Sequence, residues 1–301
     1  MKWLFLSLLL LLLIPGCKKT EESTTDAAHE TEEAEKMKVE TVQTADYSMN
    51  YIKFGKGERT LVILPGLSVQ SVMGSAEAVK EAYQLLSDAF TVYLFDRRNE
   101  LPESYPIDRM AEDTAEAIRT LGLKDICLFG TSQGGMIALK MTIDHPELVR
   151  KLVLGSSAAC VTETGSRIVG EWIELAKEGK AEELYLSFGE AVYPKEIYEQ
   201  SKDLLIAAAK TVTEQELQRF IVLAGGLKDF DVTDQLKKIT CPVLAIGSED
   251  DGVLGKDATL QIAECMKDQP GFEYYMYENF GHAAYDTAPD YKERLLQFFT
   301  K

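Results

Sequence analysis

The chain has 301 residues, 46% of them hydrophobic, and a formal net charge of −17. That is enough apolar material for one large core or two small ones. The acidic balance, with no basic stretch interleaved with aromatics, argues against a nucleic-acid partner and reads as a solubilising surface.

The first residues read as a targeting segment. Lys2 supplies the positive start, and residues 3–14 form a leucine-dominated apolar run. Crossing a bilayer takes about 20 apolar residues, so the run is short for a permanent span and is expected to be a signal peptide over residues 1–16. Ile14-Pro15-Gly16-Cys17 follows. It is similar to the lipobox of bacterial lipoproteins, in which a small residue precedes a lipidated cysteine. The resemblance implies lipidation at Cys17 and an extracytoplasmic, lipid-anchored product. Residues 17–38, rich in Glu, Thr, Ser and Ala, have little to bury and are expected to be a disordered acidic tether. About 20 flexible residues reach on the order of 25 Å.

A single globular domain is expected over 39–301. Residues 41–54 alternate as two short strands around a turn near Asp46. Residues 60–64 are a continuous apolar run, the mark of a buried strand, and a helix is expected over 75–86. Another strand covers 91–95, and 108–121 is an amphipathic helix. Residues 125–129 then lead into Gly130-Thr131-Ser132-Gln133-Gly134, and an apolar-periodic run leads out. A strand, a sharp turn with glycine at both ends and serine at its apex, then a helix is the context a nucleophile elbow requires. The pentapeptide alone arises by chance in roughly one chain in ten at average composition, so its surroundings decide the matter.

A strand over 151–154 follows, and then the pattern changes. Residues 161–236 contain no convincing strand and read as four helices, with Thr213-Glu214-Gln215-Glu216 forming a capping box. The sheet resumes at 242–246, followed by a helix over 257–266, a strand over 272–277 and a last helix over 290–299. Alternating strands and helices imply a mostly parallel sheet flanked by helices, here interrupted by an inserted all-helical cap.

Ser132 needs a base. Of three histidines, His29 lies in the tether and His145 ends the helix after the elbow, which leaves His282 on the loop after the last strand. Loops at the carboxyl ends of parallel strands are where α/β active sites form. An orienting carboxylate is expected in Gly247-Ser248-Glu249-Asp250-Asp251, where either aspartate could serve. Oxyanion donors are expected from the Gln133 amide and the Leu67 amide in Pro65-Gly66-Leu67. No His or Cys spacing suits a metal, no dinucleotide fingerprint follows a strand, and no cofactor is expected. Of the five cysteines, Cys17 aside, Cys127 is read as a buried hydrophobe, and Cys160, Cys241 and Cys265 as free thiols, with a disulfide between two of them the alternative in an exported chain.

Together, Pro65-Gly66-Leu67, Asp96-Arg97-Arg98, the serine pentapeptide, residues 145–154, the Asp250-Asp251 loop and Gly281-His282 are similar to the α/β-hydrolase superfamily, in its cap-bearing serine-hydrolase branch. The resemblance runs from about residue 41 to 301. In relatives the acid stands two residues before a Val-Val or Val-Leu pair, so Val253-Leu254 selects Asp251, with Asp250 second. Two departures are Pro65, where relatives usually have histidine, and Asn99, where many have glycine. The resemblance implies a Ser-His-Asp hydrolase acting on small esters with an apolar acyl or alcohol group. A peptidase, thioesterase, C–C hydrolase or perhydrolase, or a ligand-binding lipoprotein on the same fold, are the alternatives. Trp172, Leu184, Phe188 and Phe220 of the helical block are expected to shape the acyl pocket.

Overall fold

The computed structural model describes residues 37–301. The expected signal peptide, Cys17 and all but the end of the expected tether lie outside the described residues.

One eight-stranded sheet organises the chain, in the order β1-β2-β4-β3-β5-β6-β7-β8. Here β1 is Val39–Gln43, β2 Ser48–Phe54, β3 Arg59–Leu64, β4 Phe90–Arg98, β5 Ile126–Thr131, β6 Val149–Gly155, β7 Val243–Ser248 and β8 Phe272–Tyr277. The pairs β1–β2 and β2–β4 are antiparallel, and every pair from β4 through β3 to β8 is parallel. The central strands β5 and β7 are buried along their whole length, as unbroken apolar runs in a sheet covered on both faces require.

Helices α1 (Ala76–Ala82) and α10 (Tyr291–Thr300) cover one face, where Phe90, Phe129, Tyr291 and Phe299 pack. Helices α2 (Ile107–Thr120) and α3 (Gln133–Asp144) cover the other, around Leu128, Ile137 and Leu152. This is the α/β-hydrolase arrangement, a mostly parallel sheet between helical layers.

Between β6 and β7 the chain leaves the sheet through α4 (Glu163–Lys177), α5 (Ala181–Val192), α6 (Lys195–Ala209) and α7 (Glu214–Gly225). Its exit and return lie side by side. Val161 N–H donates to Phe230 C=O at 3.0 Å and Val232 N–H to Ala159 C=O at 2.8 Å, around an isolated Cys160–Asp231 bridge. Capping sets the helix starts: Thr162 accepts from Gly165 N–H, so α4 begins at Glu163, and Thr213 and Glu216 form the capping box of α7.

The helix expected over 75–86 is broken. Two 3-10 turns, Val72–Ser75 and Gln84–Leu86, flank α1, and Tyr83 sits at the break with its ring buried. Two short elements had no expectation: a 3-10 turn over Thr233–Lys238, and α9 (Ala284–Thr287) just after His282. Helix α8 (Asp257–Met266) precedes β8. Cys127, Cys160, Cys241 and Cys265 are free.

Candidate active site

Ser132 stands between β5 and α3 with φ 50° and ψ −122°, a strained conformation for a residue with a side chain. The two glycines make the turn possible. A Cβ on Gly130 would lie 2.3 Å from the Gly134 carbonyl oxygen, and one on Gly134 would lie 2.1 Å from the Leu64 carbonyl oxygen. Only glycine lets strand and helix come this close. The Ser132 carbonyl is held from outside the elbow by the Ser157 hydroxyl at 2.9 Å.

The loop after β3 lies against the serine: a Cβ on Gly66 would sit 3.8 Å from Ser132 Oγ. Its Leu67 and the adjoining Gln133 line the same cavity as Ser132 and His282. Gln133 opens α3, so its amide has no carbonyl to bond within the helix. The helix dipole there favours negative charge.

The histidine is fixed by one aspartate. His282 Nδ1 is 2.8 Å from Asp251 Oδ2, and the two side chains are 3% and 4% exposed. The other oxygen, Asp251 Oδ1, accepts from the Val253 and Leu254 amides at 2.9 and 2.8 Å. Burial on its own would lift the Asp251 carboxyl. The facing imidazole and those two amides outweigh it and hold the group below the ordinary carboxylate value. An ionised carboxylate can only accept, so Nδ1 carries the ring proton and Nε2 is left as the basic nitrogen. Asp250 points elsewhere. It accepts from Ser248 Oγ at 2.6 Å and from the Phe280 and Gly281 amides at 3.2 and 3.1 Å. The structure thus places Asp251 on the histidine and Asp250 on the loop that carries it.

Arg97 has a role that sequence reasoning did not assign. Its guanidinium donates to the Pro65 carbonyl at 2.7 Å and reaches Gln133 Oε1 at 3.4 Å, which ties both expected oxyanion segments to β4. Burial pulls Arg97 down to about 10, against the opposing pull of Asp96, so it stays charged at neutral pH. The Gln133 side chain also donates to the Leu223 carbonyl of α7 at 2.7 Å. Asp96 accepts from Arg219 of α7 at 2.6 Å. The signal for Arg97 was present in Asp96-Arg97-Arg98, but nothing in the sequence shows which loops it reaches.

The cavity holds about 110 Å³ and is walled mainly by apolar side chains from β3, α1, α4 and α5. Trp172 and Phe188 line it, their ring centroids 4.5 Å apart and their planes tilted by 31°. Leu184 and Phe220, expected beside them, are not among its lining residues; both are fully buried, where they hold the block together. Among the described residues there is no cluster of three or more groups suited to a metal.

A nucleophile-elbow serine, a carboxylate-bound histidine and an apolar cavity at the carboxyl ends of parallel strands are the parts that a serine hydrolase on the α/β fold combines. The comparisons agree. A family model described as "alpha/beta hydrolase fold" matches residues 59–178. "Putative carbamate hydrolase RutD" of Agrobacterium fabrum is 27% identical over 256 residues, covering 80% of this chain and 95% of that protein. Among solved structures, the hydrolase MGS-M2 from a deep-sea metagenome library superposes with a TM-score of 0.77 at 22% identity, covering 87% of this chain and 98% of the other. The esterase EaEST of Exiguobacterium antarcticum superposes with a TM-score of 0.70 at 23% identity, covering 87% and 99%. The chain has the α/β-hydrolase fold.

Proposed function

We propose that the protein is a serine hydrolase that cleaves small carboxylic esters through an acyl-enzyme intermediate. Ser132 Oγ attacks the ester carbonyl while His282 Nε2 takes its proton, and Asp251 stabilises the imidazolium that results. The Leu67 and Gln133 amides receive the oxyanion. His282 then returns the proton to the leaving alcohol, and water, activated by the same histidine, releases the acid. The single observation that carries this reading is the buried His282–Asp251 pair opening on the same cavity as a strained Ser132.

The cavity supports the substrate class. Its apolar wall favours an apolar acyl or alcohol group. Its size, about 110 Å³, is of the order of an apolar cavity that takes up benzene, roughly 150 Å³. Short acyl chains are therefore favoured over long ones. The name of the Agrobacterium relative favours a second reading, carbamate hydrolysis, which the same nucleophile can perform. A panel of p-nitrophenyl esters from acetate to dodecanoate, with a p-nitrophenyl carbamate alongside, tests this. Highest kcat/KM on an ester of about two to six carbons is expected; higher kcat/KM on the carbamate would shift the assignment to that bond.

The lipobox-like Ile14-Pro15-Gly16-Cys17 supports a further part of the proposal. The protein is tethered through a lipidated Cys17 to the outer side of a bacterial membrane, with an acidic linker between anchor and enzyme.

A further inference from the structure

The innermost wall of the cavity carries a polar group that the ester chemistry does not use. Asp286, four residues beyond His282, lines the cavity together with Tyr83, Tyr193 and Tyr285. Its Oδ1 is closed off and has no hydrogen-bond partner, and Oδ2, the oxygen left accessible in this half-buried residue, accepts no hydrogen bond from the protein either. The carboxyl is firmly placed: α9 is anchored by Ala283 N–H on the Val192 carbonyl at 3.1 Å and by the Thr287 hydroxyl on the Phe280 carbonyl at 2.9 Å. The cation acting on Asp286 is Lys292, which burial holds below its ordinary value. Its ammonium is committed elsewhere. It donates to the Tyr285 carbonyl and lies over the rings of Tyr83 and Tyr291, 5.2 and 5.9 Å from their centroids.

We propose that Asp286 is a specificity determinant that selects acyl groups bearing a neutral hydrogen-bond donor, a hydroxyl above all. The inference rests on the ester-hydrolase reading above and sharpens its substrate class. An acceptor stripped of water and left unpaired costs about 1–3 kcal/mol, and an alkyl chain packed against Oδ2 would leave it so. A ligand hydroxyl supplies the missing donor. Burial also pushes this carboxyl up to about 7, and Oδ2 accepts from a hydroxyl whether or not Oδ1 is protonated. The Lys292 ammonium argues against a ligand cation in the same place, because one carboxylate would then face two positive charges. Leu67 and Gln133, the segments that would hold the oxyanion, line this cavity too, so a group that meets Asp286 belongs to the same bound ester. Sites built to bond a substrate hydroxyl reject the analogue lacking it far more strongly than apolar pockets sort methylenes.

The test compares p-nitrophenyl esters of butanoate, pentanoate and hexanoate with esters of the same chain length carrying one hydroxyl, and with an amino-acyl counterpart. At one chain length or more, the wild-type protein is expected to favour the hydroxy-acyl ester by about tenfold or more in kcat/KM. Asp286→Leu should bring that ratio to one or below, while Asp286→Asn, which keeps an acceptor, should retain it. A wild-type ratio at or below one at every length overturns the proposal, and so does a ratio unchanged in Asp286→Leu or a preference for the amino-acyl ester. The wild-type comparison stands even where Asp286→Leu fails to fold. Labelling by a fluorophosphonate separates the two readings. A chain that labels and turns over plain esters without hydroxyl preference loses only this inference, whereas one that neither labels nor turns over any ester loses the hydrolase reading beneath it.

Discussion

Two adjacent aspartates divide the work of the loop after β7. Asp251 holds the histidine, and Asp250 pins the backbone just before it. Asp251→Asn is expected to lower kcat by up to about 10⁴, because an amide can present a donor to Nδ1 and so favour the wrong tautomer. Asp250→Asn should cost far less in rate and show mainly as lost stability. Kinetics on both purified variants decide it, and a larger rate loss in Asp250→Asn would exchange their roles. Asp286 gives a prediction of a different sign. Its folded carboxyl titrates at about 7, above its unfolded value near 4. Between these values the unfolded chain gives up its proton first, so the native state loses stability as pH rises, and the cost is fully present above 7. The groups facing it are Lys292 and the rings of Tyr83, Tyr193, Tyr285 and Tyr291. Asp286→Asn removes the cost, which is about 2–4 kcal/mol at pH 8. Its melting temperature should gain several degrees on the wild type between pH 5 and pH 8, and parallel melting curves would contradict this. Ser132, His282 and the aspartate pair were legible in the sequence because an elbow and a lone loop histidine are local signals. Asp286 was not, since four residues past His282 it looks like any polar residue of the loop before the last helix. Its isolation appears only once Tyr83 and Tyr193, distant in sequence, close around it.

At the scale of elements, the strands were the most legible part, because a strand buried on both faces must be apolar throughout; the expected 60–64 falls within β3, whose last four residues are all buried. The helices were less so. The break at Tyr83 arises because its ring packs into the core near Phe129, 6.3 Å between centroids. Propensity carries no trace of that contact. The bonds of the four-helix block to the sheet were not visible either. Helix α7 is tied to the core by Arg219 on Asp96, Leu223 on Gln133 and Glu216 on Gln70, and α5 by Tyr185 on Gln70. Three of these contacts join side chains more than 100 residues apart. They bring α4 and α5 over the site, where Trp172 and Phe188 form part of the cavity wall. Trp172→Leu should therefore enlarge the pocket and move the ester preference toward longer chains, at about 1–3 kcal/mol per methylene gained or lost. Phe220→Leu should lower stability and leave the profile alone. Identical profiles in both variants would make the block a scaffold rather than a selector.

At the scale of the whole molecule, two pieces of different character share one chain. The described domain has the α/β-hydrolase fold, and no helix among its residues is long and apolar enough to cross a membrane. The proposed membrane attachment rests wholly on the amino-terminal sequence. Cys17→Ser should shift the protein from the membrane fraction to the soluble one, or leave it unprocessed and larger, because two acyl chains anchor stably where one does so only marginally. A variant that stays membrane-bound at the processed size would remove the lipid anchor from the account. The central claim is nucleophilic catalysis by Ser132, and covalent capture tests it most directly. A fluorophosphonate should modify the wild-type protein once, at Ser132 by peptide mass spectrometry, with loss of ester turnover in step. Folded Ser132→Ala should neither label nor hydrolyse esters above a residual rate several orders of magnitude lower. Labelling at another residue, or substantial turnover in Ser132→Ala, would contradict it.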